Sequence, residues 1–294
     1  MVTWLDANAA TMLNGLALAA VLFLIAVGLS LVFGTMDVLN LAHGAVSLTG
    51  AYVGVAMVKS QGTVAVFLAA VLAAAAIGLV AGAALAAMTS SVTNHLRQAL
   101  LTLGVALIAG DVLREIFGSD VESVPPPGVL DGSVQVLGNP YPLYRLVLVG
   151  VGIVVAVALY VVLERTRVGA IVRATVADRD MVEAIGIRTR LVLGGVFGAG
   201  AALAAVGGLL AAPILGAQPG LDDQILLFAL VIVVIGGLGS LRGALVGAVL
   251  VGQVQTVGVA MFSEFASFLL FGAMAAVLLL RPAGLLPART GVHP

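Results

Sequence analysis

Long apolar stretches separated by short polar punctuation set the organisation of this chain. No Asp, Glu, Lys or Arg stands between Asp6 and Asp37, Lys59 and Arg97, Arg145 and Glu164, Arg190 and Asp222, Arg242 and Glu264, or Glu264 and Arg281. A helix needs about 20 apolar residues to cross a ~30 Å hydrocarbon core. Read with that ruler, the pattern predicts apolar segments at 10–33, 44–58, 63–88, 98–113, 143–163, 191–212, 225–238, 244–262 and 265–280. Several are short, so the expectation is an all-α polytopic membrane protein with eight to ten transmembrane or half-membrane helices. The whole of 1–294 reads as one transmembrane domain. A closed β-barrel would need short alternating strands, and these runs are continuous. The first apolar run has no Lys/Arg-rich segment before it and exceeds 20 residues, so it reads as a membrane helix and not a cleaved signal peptide.

Composition agrees with that pattern and removes several function classes. The 294 residues are 62% hydrophobic and 9% charged, where soluble domains carry about 25% charge. Thirteen basic against fourteen acidic residues give a net charge of −1, which offers no nucleic-acid-binding surface. There is no cysteine, hence no disulfide framework, thiolate metal site or cysteine nucleophile.

The arginines predict orientation, because cytoplasmic loops of membrane proteins carry the basic excess. Residues 164–190 hold Arg165, Arg167, Arg173, Arg179, Arg188 and Arg190. Between Arg114 and Arg145 there is no basic residue, while Asp120, Glu122, Asp131 and the run Pro125-Pro126-Pro127 are present. The expectation is that 164–190 is cytoplasmic and 118–142 extracytoplasmic. Counting crossings onward places Arg281 and Arg289 in the cytoplasm as well.

Two glycine-rich breaks interrupt the apolar pattern. One runs from Phe33-Gly34 through Asp37, Asn40 and His43 to Gly44, and the other is Ile235-Gly236-Gly237-Leu238-Gly239-Ser240-Leu241-Arg242-Gly243. Unwound backbone at membrane depth survives where it is buried in protein or lines water. Paired interruptions in corresponding halves of a chain point to a transport path, with a faint internal repeat. Ordinary interfacial turns between helices are the other reading, and spacing alone leaves both open. Asp37, Asn40 and His43 form one polar cluster, either a pathway element or a hydrated loop. Asp111, Arg114 and Glu115 stand at i, i+3 and i+4, which predicts an Asp111–Arg114 surface pair. Gly78/Gly82, Gly194/Gly198 and Gly243/Gly247 have the small-xxx-small spacing of close helix packing.

No enzyme signature is present. Lys59 is the single lysine and comes after Val58, so there is no Gly-Lys-Ser/Thr phosphate loop. Arg242 occupies the place of the last glycine in a dinucleotide fingerprint begun at Gly237 and Gly239. His43, His95 and His293 are never four apart. No metal site is expected, and no convincing carboxylate pair lies within the apolar segments.

The segment 164–190 differs in kind. Ile171, Ala174, Val176, Met181, Ala184 and Ile185 are interspersed with charge, which predicts a short amphipathic helix over about 170–187, closed at Gly186. An arginine-bearing helix lying on anionic lipid is one reading. The near-balance of six arginines against Glu164, Asp178, Asp180 and Glu183 favours a protein partner.

These residues, taken together, resemble the permease subunits of branched-chain amino acid ABC importers of the LivH type, which include urea and short-amide relatives. The resemblance rests on Gly28-Leu29-Ser30-Leu31-Val32-Phe33-Gly34, Asn40-Leu41-Ala42-His43-Gly44 and Gly50-Ala51-Tyr52. It continues through Arg173-Ala174, Asp178, Met181 and Gly186-Ile187, then Gly236-Gly237-Leu238-Gly239-Ser240-Leu241 and Arg281-Pro282-Ala283-Gly284-Leu285-Leu286. Thr93-Asn94-His95-Leu96-Arg97 departs from it, standing where the family often has an Arg-Pro-bearing basic stretch. The resemblance implies a bacterial inner-membrane subunit for branched-chain amino acids or similar small neutral or amide solutes. It implies a second homologous permease, two cytoplasmic ATPases that bind the ATP, and an extracytoplasmic substrate-binding protein. Gly34, Asn40, His43, Gly44, Gly236, Gly237, Gly239 and Ser240 are then expected on the translocation path. Arg173, Ala174, Asp178, Met181, Gly186 and Ile187 are expected at the ATPase. An ion-coupled secondary transporter is the alternative, with Asp37 as its candidate carboxylate.

In a chain without cysteine, a single introduced thiol reports orientation directly. A Val168→Cys variant in intact cells is expected to resist an impermeant thiol reagent and to react once the membrane is opened. Reaction from outside would reverse the orientation.

Overall fold

The computed structural model describes residues 2–36, 39–59, 62–92, 94–136 and 139–287. Among these residues, nine helices account for the nine apolar segments: α1 (Val2–Met36), α2 (His43–Val58), α3 (Val64–Ser90), α4 (His95–Phe117), α5 (Leu143–Arg165), α8 (Thr189–Leu215), α9 (Leu221–Gly236), α10 (Leu241–Gln253) and α12 (Ala266–Leu280). Two short helices, α6 (Arg167–Ala177) and α7 (Arg179–Ala184), come after α5, and α11 (Val259–Met261) continues α10 through a π-helical turn at Val254–Gly258. Among the described residues, five helical stretches are long and apolar enough to cross a membrane: Asn8–Met36, Val64–Ser90, Leu143–Arg165, Thr189–Leu215 and Leu241–Met261. The short strands β1 (Ser133–Val136) and β2 (Asn139–Pro142) form an antiparallel hairpin at the loop end of the bundle, an addition to the all-helical expectation.

Side chains on the linkers start many of these helices. Asn94 Oδ1 accepts from the Leu96 and Arg97 amides (2.9 and 3.2 Å), and Asp178 Oδ1 accepts from Met181 (2.9 Å). Ser240 Oγ accepts from Gly243 (3.0 Å) and Thr166 Oγ1 from Gly169 (3.3 Å). Each such bond occupies a donor that the first helical turn cannot pair internally.

The core forms around α8, which packs against α1, α2 and α3 along one run of small residues. A Cβ on Gly28 of α1 would lie 2.2 Å from the Gly200 carbonyl oxygen, and one on Gly50 of α2 would lie 1.8 Å from that of Ala205. One on Gly208 would lie 1.8 Å from the Ser47 carbonyl oxygen. Gly78 and Gly82 of α3 meet Ala201 and Gly198 in the same way. Hydrocarbon supplies no hydrophobic drive between helices, so close backbone approach and the dispersion contacts it allows carry association. Of the three expected small-residue pairs, Gly78/Gly82 and Gly243/Gly247 both pack against backbone, whereas Gly194 meets nothing within 4 Å.

Among the described residues α2, α9 and α12 are each too short to span. α2 and α9 have 16 residues each, about 24 Å at 1.5 Å per residue. Their first turns abut, because a Cβ on Gly44 would meet the Asp222 carbonyl oxygen at 2.2 Å. From that meeting point α2 runs to the loop end, where Lys59 pairs with Glu122. α9 runs the other way, to Gly236 at the arginine-rich end. The internal interruption that faces the start of α2 is therefore the linker 216–220, with Gly216 and Gly220 at φ 76° and 88°. Sequence spacing pairs the first break with 236–243 instead, because the linker 216–220 is short and stands at the end of an uninterrupted apolar run. Glu122 and Ala217 exchange backbone bonds of 2.8 Å, tying that linker to the 118–142 loop. Arg114 Nε donates to Ser119 Oγ at 3.3 Å, and no Asp111–Arg114 ion pair occurs among the described residues.

Substitution at the seam separates close packing from mere glycine content. Gly50→Ala and Gly208→Ala are each expected to cost about 1–3 kcal/mol through overpacking. Gly194→Ala is expected to be neutral or slightly stabilising. Thermal unfolding in detergent, with retention on size-exclusion chromatography as the readout, measures the difference.

Candidate functional site

The break between α1 and α2 turns back into the bundle. α1 ends at Met36, yet His43 sits beside Ile25, about three turns or ~16 Å before that end. The imidazole is fully buried, and His43 Nε2 lies 2.8 Å from the Ile25 carbonyl oxygen. A carbonyl can only accept, so Nε2 carries the hydrogen.

The residues leading into His43 are fixed by local bonds. Asn40 is fully buried, and its Oδ1 accepts from the Ala42 amide at 3.1 Å. Its carbonyl oxygen accepts from the His43 amide at 3.4 Å. Thr102, buried on α4, accepts from the Leu41 amide at 3.1 Å and lies with its hydroxyl 3.0 Å from the Ala99 and 3.3 Å from the Leu39 carbonyl oxygen. Irregular backbone within a bundle must find such partners, since no bilayer water can substitute. Asp37, the third member of the polar cluster, lies outside the described residues.

The second break is a tight α9–α10 hairpin. Gly236 and Gly243 face one another, a Cβ on either falling 2.2–2.3 Å from the other's carbonyl oxygen. Gly237 and Gly239 hold φ of 104° and 73°, a left-handed backbone that glycine supplies without a Cβ clash. The segment 281–287 then folds over the end of α9: Leu285 donates to the Ile235 carbonyl at 2.8 Å and Leu286 to the Gly236 carbonyl at 3.0 Å. Gly284, at φ 85°, lets that backbone approach Gly237 closely. The tail thus satisfies carbonyls that the last turn of a helix leaves open. Sequence pattern alone marks these residues without that role.

The two breaks touch where Gly34 meets Gly239. A Cβ on Gly34 would stand 2.5 Å from Gly239 Cα. Gly34 and Gly239 are half-buried, Asn40, His43, Gly44, Gly236, Gly237 and Ser240 are buried, and Gly44 belongs to the α2–α9 contact and not to the second break.

The 164–190 segment lies beyond the end of α5. It is two helices, correcting the single helix expected over about 170–187. Asp178 divides them, in extended backbone (φ −154°, ψ 97°), because its carboxylate accepts from Met181 and competes with helix continuation. Gly186, at φ 87°, ends α7, and Ile187 donates to the Val182 carbonyl at 3.3 Å. Gly169 permits the sharp turn from α5, where a Cβ would strike the Leu163 carbonyl oxygen at 2.1 Å.

Val172, Thr175 and Val182 are buried, while Ala174, Met181 and Ile185 are exposed and Ile171 is half-buried. Met181 and Ile185 expose 63% and 67% of their surface. Arg173 lies 3.9 Å from Glu164. At the start of α8, buried Thr189 donates to Glu183 Oε1, and Arg179 Nε lies 3.2 Å from both Glu183 Oε1 and Thr189 Oγ1. The Thr189 hydrogen bond, then the one from Arg179, holds the Glu183 carboxyl below its ordinary range. No group of three His, Cys, Asp or Glu side chains is arranged to hold a metal ion among the described residues.

Comparison with known proteins matches the sequence of this chain to one family. Residues 11–279 match the family described as the permease component of the branched-chain amino acid transport system. The chain is 27% identical over 293 residues to the high-affinity branched-chain amino acid transport system permease protein BraD of Pseudomonas aeruginosa, covering 94% of each. It is 28% identical over 289 residues to the LivH permease protein of that system in Salmonella typhimurium, and 28% over 290 residues to the one in Escherichia coli, again with 94% of each chain covered.

Thr102 gives the test of how the first break is held. Thr102→Val keeps the shape but leaves the Leu41 amide without its acceptor. The expected loss is about 1–3 kcal/mol, measured as thermal stability in detergent, with Thr102→Ser recovering most of it.

Proposed function

Because the chain belongs to the family of permease components of branched-chain amino acid transport systems, we propose that it forms half of a solute path driven by ATP bound on partner subunits. It is a membrane-spanning permease subunit of an ABC importer, placed as a multi-pass protein in the bacterial plasma membrane. The proposed solutes are branched-chain amino acids or similar small neutral or amide molecules. The proposed partners are a second homologous permease, two cytoplasmic ATPases and an extracytoplasmic substrate-binding protein. The chain itself holds no cofactor in this reading.

The observation that carries the reading is the exposed apolar strip on α6 and α7. Ala174, Met181 and Ile185 point away from their own bundle, at the end where α5 runs into the arginine-rich segment. Exposed apolar area costs roughly 25 cal/mol per Å², and a groove on the ATPase would cover it. Arg173 and Asp178 stand beside the strip as polar anchors, and Gly186-Ile187 turns the chain back to α8. This assignment requires 164–190 to be cytoplasmic and 118–142 extracytoplasmic.

For the path, Gly34, Asn40, His43, Gly44, Gly236, Gly237, Gly239 and Ser240 are proposed to fix the backbone of its wall. The flanking helices offer Ala, Val and Leu but few charges, so the proposed route is narrow and largely apolar and suits aliphatic side chains or small neutral molecules. Selectivity then resides largely in the binding protein.

An Ala174→Trp variant tests the docking surface. It is expected to insert and assemble, and to leave ATP hydrolysis at the level seen without substrate-loaded binding protein. Normal stimulation by that protein would remove the docking reading.

A further inference from the structure

α6 packs directly on α1, α5 and α8, whereas α7 reaches the bundle through its junction with α8. α7 has six residues and is separated from α8 by the turn at Gly186. Left to that turn alone, the two helices could hinge. The contact that closes the hinge is a three-membered ring of side chains: Arg179 at the start of α7, Glu183 one turn later, and Thr189 at the first position of α8. Arg179 Nε reaches both partners at 3.2 Å, and the Thr189 hydroxyl donates to the same carboxylate oxygen. Arg179 and Glu183 are about half exposed, whereas Thr189 is 1% exposed. An exposed Arg–Glu pair spaced i, i+4 contributes little by itself. Adding a buried hydroxyl from the next helix turns that local pair into a link between two elements, with a charged acceptor that strengthens the bond.

α8 is the helix on which such a link has most effect. It has 27 residues, about 40 Å long, and it meets α1 at Gly200, α2 at Ala205 and Gly208, and α3 at Gly198 and Ala201. The α1 and α2 contacts set backbone against backbone, and at α3 Ala201 Cβ and Leu79 Cδ1 also enter the contact. Small sliding of packed helices past one another is one recognised form of conformational change.

We propose that the Arg179–Glu183–Thr189 ring clamps α7 to α8, with Thr189 as the positioning residue that delivers movement of the docking segment to the central helix. The proposal rests on the docking reading, and its own failure is separable from that one. Ala174→Trp interrupts contact with the ATPase; breaking the clamp leaves that contact intact and interrupts transmission from α7 to α8.

The test uses the complete importer in proteoliposomes: both permeases, both ATPases and the binding protein, with uptake and ATP hydrolysis measured together. Thr189→Val removes the hydroxyl at constant shape. It is expected to retain binding-protein-stimulated hydrolysis and to lose at least tenfold in solute moved per ATP, with Thr189→Ser restoring the ratio. Because the chain has no cysteine, a Glu183→Cys/Thr189→Cys double variant, used once loss of free thiol shows that its disulfide has formed, replaces the hydrogen bond by a reversible covalent one. Oxidised before assembly, it is expected to couple, and reduction of the same preparation is expected to uncouple it. A wild-type ratio in Thr189→Val, or equal ratios in the oxidised and reduced double variant, would overturn the clamp while leaving the docking reading standing. Loss of stimulated hydrolysis in Thr189→Val with wild-type assembly would also overturn it, since the residue would then act on docking.

Discussion

An amide or carbonyl without a partner costs several kcal/mol in hydrocarbon, and this requirement governs how the chain can interrupt its helices. The break between α1 and α2 does not end at a membrane surface. It re-enters the bundle and delivers His43 to the Ile25 carbonyl. Buried Asn40 serves its own turn, and Thr102 reaches across from α4 to the Leu41 amide. Asn40 Oδ1, His43 Nε2 and the Thr102 hydroxyl are therefore occupied in holding backbone, while Asn40 Nδ2 and His43 Nδ1 are buried without a hydrogen-bond partner. Once they are in place, α2 can begin inside the protein, with Gly44 against the first turn of α9.

The same closeness of backbone appears along α8. Where α1, α2 and α3 cross it, glycine and alanine bring main chains within reach of one another, and the absence of side chains is what makes the contact. At the arginine-rich end the second break obeys a related constraint. Its glycines close the α9–α10 hairpin, and the tail at 281–287 supplies amides to the exposed carbonyls of α9. The start of the first break at Gly34, the second break, the tail and the helices α6 and α7 thus share one end of the bundle, and α8 leads from that end to its packing seam at residues 198–208.

Much of this is legible in the sequence because hydrophobicity over 20 residues is a strong signal. The nine apolar segments coincide with nine helices among the described residues, and the turns at Gly186 and Gly237 can be read from residue type alone. Long-range pairing is not legible. Nothing local in Thr102 marks it as the acceptor for an amide 61 residues away. The short linker 216–220 carries little polar signal, so its role in starting α9 beside α2 does not show in the pattern. Asp178 illustrates a third limit: helix-friendly neighbours suggest one continuous helix, while Asp178 takes extended backbone and its carboxylate caps α7 at the Met181 amide. Family resemblance supplies identity where local pattern supplies only class, and the match over residues 11–279 agrees with it.

The central claim is that the chain between α1 and α2 folds back into the bundle and is pinned there by His43. The direct measurement is nitrogen-15 magnetic resonance on histidine-labelled protein in lipid, with isoleucine carbonyls labelled in carbon-13. The chain has three histidines, and a His43→Gln variant assigns the relevant signal by its loss. The account predicts a hydrogen on Nε2 of His43 and a through-space correlation from that nitrogen to an isoleucine carbonyl. An Nε2 without its hydrogen, or the absence of any isoleucine carbonyl near it, would contradict the account.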